Sequence, residues 1–154
     1  MSFNYIAKKI FNQYEIYKFK RYQIDDNLYL KNKVDKKIQT IMLYFPDYQF
    51  MHFGDHLFFE PLARGLQNEG YLVYIFPIKD MEFYFKKLCY KFGNEVLLKS
   101  VDLVITKVEF IPQLRKLTNQ VMFIDTASPK TKLPLCFSLI KTVFSFLEIN
   151  CSEF

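Results

Sequence analysis

The sequence predicts an α/β fold in which short buried strands alternate with helices. Four apolar runs of strand length lie between Gln39 and Asp125, and each is followed by a segment of helical length. The runs are continuously apolar, which is typical of parallel strands covered on both faces. Right-handed crossovers then give a Rossmann-like parallel sheet of about four strands with helices on both faces, preceded by an N-terminal amphipathic helix.

Length and composition indicate one domain with a substantial core. The chain has 154 residues, of which 51% are apolar and 19% aromatic, and this excludes intrinsic disorder. Its three cysteines, Cys89, Cys136 and Cys151, form no CxxC pair, which argues against a disulfide framework or a zinc knuckle. Because this cysteine usage suits a reducing compartment and no signal-peptide pattern is visible, we expect a cytoplasmic protein.

The excess positive charge is concentrated at the N-terminus. The net charge is +5, and residues 1–38 contain nine Lys or Arg against four Asp or Glu. From Gln39 onward the two signs balance at twelve each, so the body is neutral. A nucleic-acid-binding domain would carry the basic surface within its fold, so we expect no nucleic-acid partner. The pattern favours a basic attachment segment on an enzyme-like body.

That segment begins with a basic amphipathic helix predicted over Phe3–Tyr22. The basic residues on one side of it are Lys8, Lys9, Lys18, Lys20 and Arg21. Two interpretations stay open: the helix docks on an anionic membrane surface, or it packs on the body with a solvated basic face. The first would make the protein peripheral on the inner membrane. Residues 23–37 are predicted as a linker with a short strand or a helical turn at Leu28–Leu30, so residues 1–38 precede a Rossmann-like half-domain over residues 39–154.

Turn-forming residues divide the rest of the chain into alternating strands and helices. Pro46 and Pro77 end the first two strands, while Gly70 and Gly93 end the first two helices. The predicted elements are strand one (Gln39–Phe45), helix one (Asp55–Asn68), strand two (Tyr71–Phe76), helix two (Lys79–Phe92), a helical turn (Asn94–Lys99), strand three (Asp102–Thr106), helix three (Phe110–Thr118), strand four (Gln120–Asp125) and a last helix (Pro134–Ile149).

The last helix is the most apolar part of the sequence. The apolar stretch Leu133–Ile149 covers about 17 residues and contains Lys141, which is marginal for spanning a bilayer. We therefore predict a buried or interface helix.

The expected strand order, 3-2-1-4, determines where a ligand would bind. Strands one and four become neighbours whose connections leave in opposite directions, and ligands bind in the crevice at such a point. This places the loop of residues 46–55 opposite the loop of residues 125–132. The polar groups at this crevice are Asp47, His52, Gly54, Asp55, His56, Asp125, Thr126 and Ser128.

Asp55 stands where helix one begins, and two roles are open for it. Its carboxylate can cap the helix by accepting backbone N–H bonds, or it can face the crevice as a general base for a substrate hydroxyl. His52 and His56 lack the third ligand of a zinc site and form no HExxH arrangement, so we expect no metal. Neither GxGxxG nor GxxxxGK[ST] follows strand one, so we expect no dinucleotide cofactor and no P-loop.

At this corner the sequence resembles the N-terminal half of the family 9 glycosyltransferases, the heptosyltransferase group of the GT-B fold. The residues that carry the resemblance are Gly54-Asp55, Leu57, Pro61, Leu62 and Leu66, with Gly70 before the second strand. It covers about residues 39–125. Two features depart from the family: Glu60 stands before Pro61, where a small or hydroxyl residue is usual, and the loop before Gly54 is longer and aromatic.

The resemblance implies transfer of a sugar from a nucleotide-sugar to a lipopolysaccharide or lipooligosaccharide core, or to another surface glycan. Asp55 would be the general base for the acceptor hydroxyl. Gly54, His56, Asp47, Asp125, Thr126 and Ser128 would bind the acceptor. A second Rossmann-like half binds the donor in that family, so the nucleotide-sugar is expected only with that half. Because the chain ends at Phe154, about where such a half would begin, we expect it to be inactive alone.

Two other functions remain open from the sequence. A non-enzymatic Rossmann-like domain that binds a partner or a membrane would expose an apolar patch on residues 135–146. A flavodoxin-like small-molecule binder would need a phosphate-holding loop after strand one, and the acidic, aromatic loop at residues 46–55 suits that poorly.

Overall fold

The computed structural model describes Tyr14 and residues 23–25, 28–32, 36–46, 53–76, 82–88, 90–110, 114, 116–124 and 135–150; for residues 23–25, 53–58, 109 and 135–138 this covers the backbone. The strands and helices are β1 (Gln23–Asp25), β2 (Leu28–Lys31), β3 (Thr40–Leu43), α1 (Phe53–Asn68), β4 (Leu72–Ile75), α2 (Glu82–Lys87), β5 (Lys91–Phe92), α3 (Glu95–Leu98), β6 (Leu103–Lys107), β7 (Gln120–Ile124) and α4 (Leu135–Phe146). A 3-10 turn, Val108–Phe110, follows β6.

The strands form one sheet in the order β1-β2-β7-β6-β3-β4-β5. The five strands from β7 to β5 are parallel, whereas β2 is antiparallel to β7 and β1 is antiparallel to β2. All residues of β6 and β7 are buried. The chain is therefore an α/β protein with a mostly parallel sheet, as the continuously apolar runs predict.

The predicted strand order is wrong in one respect that moves the expected crevice. β3 pairs with β4 on one side and with β6 on the other, so predicted strands one and four are separated by strand three. The cause is β5, a two-residue strand that the sequence analysis missed. It extends the sheet beyond β4, and the chain then crosses to the other side of β3 to form β6. If the five parallel strands β3 to β7 are numbered 1 to 5 along the chain, their order across the sheet is 3-2-1-4-5. The direction of the strand order therefore reverses between β3 and β6.

Predicted helix two is wrong at its C-terminal end for the same reason. α2 ends at Lys87, and Lys91 and Phe92 pair with Tyr74 and Ile75 of β4. The Gly93 N–H donates to the Ile75 carbonyl at 2.9 Å, which continues the pairing. The predicted turn after it is confirmed as α3.

Predicted helix three, Phe110–Thr118, lies partly outside the described residues, which lack residues 111–113 and 115. The chain there enters a 3-10 turn at Val108 and is no longer helical by Lys116.

The segment predicted as a linker belongs partly to the sheet. Residues Leu28 to Lys31 form β2, whose partners on β7 run from Ile124 back to Val121. Leu28, Tyr29 and Leu30 are buried. Of the two alternatives expected at Leu28–Leu30, the structure has the strand, and the treatment of the surrounding residues as a linker is corrected.

α1 packs its apolar face, formed by Phe59, Leu62, Ala63 and Leu66, into the core. It begins at Phe53, two residues before the predicted start, so Gly54 and Asp55 lie in its first turn. Its last residue is Asn68, as predicted, and Gly70 closes the helix. The φ of Gly70 is 87°, which only glycine adopts at little cost. The Tyr71 N–H donates to the Leu66 carbonyl at 3.1 Å and the Gly70 N–H donates to the Gln67 carbonyl at 3.0 Å, the two bonds of a Schellman motif.

α4 packs against α1, and a glycine makes the close approach possible. A Cβ at Gly65 would lie 2.8 Å from Cζ of Phe144, a fully buried ring. Leu139, Ile140 and Val143 of α4 are buried as well. The exposed apolar patch expected over residues 135–146 is therefore absent from residues 139–144, where α4 turns its apolar side chains inward.

Candidate functional site

The carboxyl ends of β3 and β6 lie side by side and fix the start of the crevice at the reversal of strand order. The Tyr44 N–H donates to the Ile105 carbonyl at 2.9 Å, and the Thr106 hydroxyl donates to the Tyr44 carbonyl at 2.6 Å. These bonds carry the β3–β6 pairing past the last paired residues of the strands. Phe45 then stacks on Phe59 of α1, with ring centroids 3.8 Å apart, so α1 is anchored over the end of β3.

The candidate base, Asp55, lies in the first turn of α1 together with Gly54 and His56. The free N–H groups of a helix N-terminus favour an ionised carboxylate at this position. The backbone of the three residues is described, while the direction of their side chains lies outside the described part of the chain. The structure therefore locates their helical turn and leaves the choice between cap and base open.

The other four site residues, Asp47, Asp125, Thr126 and Ser128, lie outside the described residues. The strand that precedes three of them is described, however, and its place in the sheet corrects the expectation. β7 ends at Ile124 and β6 separates it from β3, so the loop that starts at Asp125 does not leave the strand next to β3. The loop that does so follows β6.

Two polar residues at the end of β6 occupy the place expected for the residues after strand four. Thr106 is fully buried, and Lys107, the last residue of β6, is only 7% exposed. Both residues therefore lie at the carboxyl edge of the sheet, on the strand next to β3. The sequence signal for Lys107 was a charged residue directly after an apolar strand. It was missed because predicted strand three ended at Thr106 and was placed away from strand one.

Glu60 of α1 is a buried carboxylate held by two partners. Arg64, one turn later, donates to its Oε1 from Nε at 3.0 Å and from Nη2 at 2.6 Å. The hydroxyl of Tyr90, just before β5, donates to the same oxygen at 2.7 Å. Burial raises the pKa of Tyr90, and the bond and charge of Glu60 raise it further, while Arg64 opposes the shift. This network ties α1 to the segment between α2 and β5, which explains the departure at Glu60 as a structural contact.

A second polar cluster lies at the opposite, amino edge of the sheet. The Asp102 carboxylate accepts bonds from the backbone N–H groups of Gln39 and Thr40, at 3.1 and 2.9 Å, and from the Thr40 hydroxyl at 2.8 Å. Lys36 donates to its other oxygen at 2.5 Å. Burial alone would raise the pKa of this carboxyl, but the bonds from Lys36, Thr40 and Gln39 outweigh it and hold the pKa well below its usual range. The cluster joins the starts of β3 and β6.

A cavity of about 200 Å³ opens beside this cluster, lined by residues that include Lys36, Lys99 and Asn119. The side-chain amide of Asn119 donates hydrogen bonds to the carbonyls of Leu98 and Val101, at 3.0 and 3.2 Å. The cavity is thus at the amino edge of the strands, away from the reversal point at their carboxyl ends.

Comparisons with protein-family models, with curated proteins and with solved structures found no match to this chain. Within the described residues, no three His, Cys, Asp or Glu side chains come together as metal ligands. No helix in the same part of the chain has the length and apolar character needed to cross a bilayer.

Proposed function

We propose that this chain is the acceptor-binding half of a GT-B glycosyltransferase, with Rossmann-like topology, and that Asp55 is its general base. The observation that carries the proposal is the junction between β3 and α1. β3 lies at the reversal of strand order, and the helix that follows it carries Gly54-Asp55 in its first turn. Family 9 glycosyltransferases, which the sequence resembles, have a Gly-Asp at this point of the fold. Open α/β sheets bind their ligands at the reversal of strand order.

The proposed reaction needs one carboxylate from this half. Asp55 takes the proton of an acceptor hydroxyl while the hydroxyl oxygen forms a bond to the anomeric carbon of the donor sugar. The bond from that carbon to the nucleoside diphosphate breaks, and the diphosphate leaves with the bonding electrons. The acceptor is a lipopolysaccharide, lipooligosaccharide or other surface glycan. The donor is bound by a second half of the enzyme, as in the family 9 glycosyltransferases.

The proposed acceptor contacts are those on the loop and turn around Asp55, namely Asp47, Gly54 and His56. Asp125, Thr126 and Ser128 remain proposed contacts from the loop after β7, one strand further from β3. We add Lys107 to this set because of its position at the end of β6, the strand next to β3 at the reversal of strand order.

The test is a glycosyl-transfer assay on extracts that express this chain alone or the chain joined to the reading frame that follows it. We expect transfer only with the longer protein and a loss of at least 100-fold with Asp55→Ala, since general bases contribute about 10²–10⁴-fold. Glu69→Gln is the matched control, because Glu69 is an exposed acid just beyond the other end of α1. Equal activity of the Asp55→Ala protein would overturn the assignment of the base.

The non-enzymatic alternative is a Rossmann-like domain that binds a partner or a membrane. Its predicted surface on α4 is turned inward at residues 139–144, which weakens it. Absence of transfer in both extracts, with folded protein present, would favour this alternative.

A further inference from the structure

One side of α2 carries an unusual combination of exposed apolar and basic side chains. Phe83 is 69% exposed and Leu88, directly after the helix, is 38% exposed, with Tyr84 between them at 36%. The exposed lysines beside them are Lys86 and Lys87. We call these five residues the α2 surface. Large apolar side chains grouped on a protein surface indicate a contact with something outside the chain.

The inner side of the same helix is firmly attached to the body, so the α2 surface has a fixed orientation. Phe85 is 5% exposed, and its ring meets the Tyr90 ring edge-on with centroids 5.9 Å apart. Tyr90 is in turn bonded to Glu60 of α1. The exposed rings therefore lie on a helix whose one buried residue, Phe85, contacts the body.

The charges indicate what the α2 surface contacts. Lys86, Lys87 and the exposed Lys91 of β5 stand against one acid, Glu82, in the described part of residues 82–92. The ammonium group of Lys87 lies 4.3 Å from the centroid of the Phe83 ring. Rings that enter the headgroup region while neighbouring lysines meet anionic lipids are the pattern of membrane-surface helices.

We propose that the α2 surface docks on an anionic membrane. A short helix that presents exposed rings and lysines side by side can enter a fluid layer of headgroups. A second class of partner, an acidic protein, becomes one outcome of the test below.

The position of α2 deepens the proposed function, on which this step rests. α1 follows β3 and α2 follows β4, so both helices begin at the carboxyl edge of the sheet. Both connections move the same way along the sheet, and right-handed crossovers then place both helices on one face. Docking through α2 therefore brings the first turn of α1, with Asp55, next to the membrane. The acceptor of such a site is a glycolipid held in that membrane.

The chain has no tryptophan, which permits a direct test. Phe83→Trp creates a single reporter on the α2 surface, and Val96→Trp on α3 is the matched control at an apolar residue that is 77% exposed. Vesicles of phosphatidylglycerol and phosphatidylcholine are added to the full chain at low salt. We expect a blue shift and quenching by brominated lipid for Phe83→Trp, with neither change for Val96→Trp or with phosphatidylcholine alone.

Sedimentation with the same vesicles measures the contribution of the lysines. Lys86→Gln with Lys87→Gln should lower the partition coefficient by about 25-fold, at about fivefold for each lysine near an anionic surface. Lys116→Gln with Lys141→Gln, two exposed lysines elsewhere, should leave it within about twofold. All four sites are exposed, and thermal unfolding confirms that each variant is folded.

Unchanged vesicle binding in the Lys86 and Lys87 variant would overturn the proposal and assign any docking to the basic N-terminal segment. Absence of a shift at Phe83→Trp would also overturn it, in favour of a protein partner. Neither readout involves sugar transfer, and Asp55→Ala should bind vesicles like the wild type. Failure of docking and failure of the proposed enzyme are thus distinguishable.

Discussion

Gly65 shows how one missing side chain determines the packing of two helices. In a helix interior, glycine is less favourable than alanine by about 1 kcal/mol, so Gly65→Ala would be stabilising on propensity alone. The added Cβ, however, would lie 2.8 Å from Cζ of the fully buried Phe144. Overpacking of this kind costs about 1–3 kcal/mol, so we predict a net fall in the free energy of unfolding, measured with urea.

The exposed α1 residue Gln67 supplies the control, since Gln67→Ala changes propensity without touching α4. Combining Gly65→Ala with Phe144→Leu should recover part of the loss. A Gly65→Ala protein more stable than the wild type would show that the two helices can separate at no cost.

Asp102 makes stability depend on acid pH. Its pKa is lower in the folded chain than in the unfolded chain, where it is about 3.9, so its stabilising effect is complete above that value. The effect is lost progressively as pH falls below about 4. We predict that Asp102→Asn lowers the free energy of unfolding by about 1–3 kcal/mol at pH 7 and flattens its decline in acid. Urea titrations at pH 7 and pH 3 measure both quantities, and parallel declines in the two proteins would contradict the assignment.

Tyr90 has the opposite pH dependence. Its pKa is raised in the folded chain, so it favours folding fully below about pH 10, the unfolded value, and this contribution is lost as pH rises further. We predict that Tyr90→Phe costs about 1–3 kcal/mol at pH 7, because Glu60 loses a buried donor. The decline above pH 10 should become shallower but persist, since burial also raises the pKa of Tyr71.

Tyr74→Phe, at a tyrosine that is half-buried, is the comparison for this measurement. If Glu60→Gln and Tyr90→Phe have additive effects, the two side chains are not coupled, and the hydrogen bond between them contributes nothing.

At the scale of elements, Asn94 decides where α3 begins. Its Oδ1 accepts bonds from the N–H groups of Val96 and Leu97, at 3.0 and 2.9 Å. We predict that Asn94→Ala costs about 1 kcal/mol and speeds hydrogen exchange at those two amides. Asn94→Asp keeps an acceptor and should exchange like the wild type. Equal exchange in all three proteins would mean that packing alone holds α3.

The helices differ in how well the sequence predicts where they end. Long apolar periodicity identified α1 and α4 with boundaries correct to within a few residues, and Gly70 marked the end of α1. Predicted helix two failed at its C-terminal end because Gly93, which was predicted to stop the helix, follows the strand β5 instead. Lys91 and Phe92 become extended since Gly93 approaches Met42 and Asn94 already caps the next helix. A two-residue strand has no periodicity to detect.

For the whole molecule, the α/β class could be predicted because it depends on many buried residues, whereas the crevice depended on one small strand. Because the prediction did not include β5, it placed strand four beside strand one. Asp125, Thr126 and Ser128, which follow strand four, were therefore predicted to lie at the crevice. The corrected order places Lys107 of β6 there instead. The turn that carries Asp55 was predicted correctly because it follows β3 in any strand order.

The pairing of β2 with β7 also affects how the protein is made. Leu28 of β2 pairs with Ile124 of β7, which is far away in the sequence. β2 therefore leaves the ribosome long before β7 has been synthesised. Until β7 emerges, Leu28, Tyr29 and Leu30 cannot be buried in the sheet, although they are buried in the folded chain. The parallel part of the sheet also lacks its last strand until then. Synthesis arrested before residue 120 should therefore yield nascent chains that recruit chaperones. Chains that are synthesised past residue 150 and then released should resist protease.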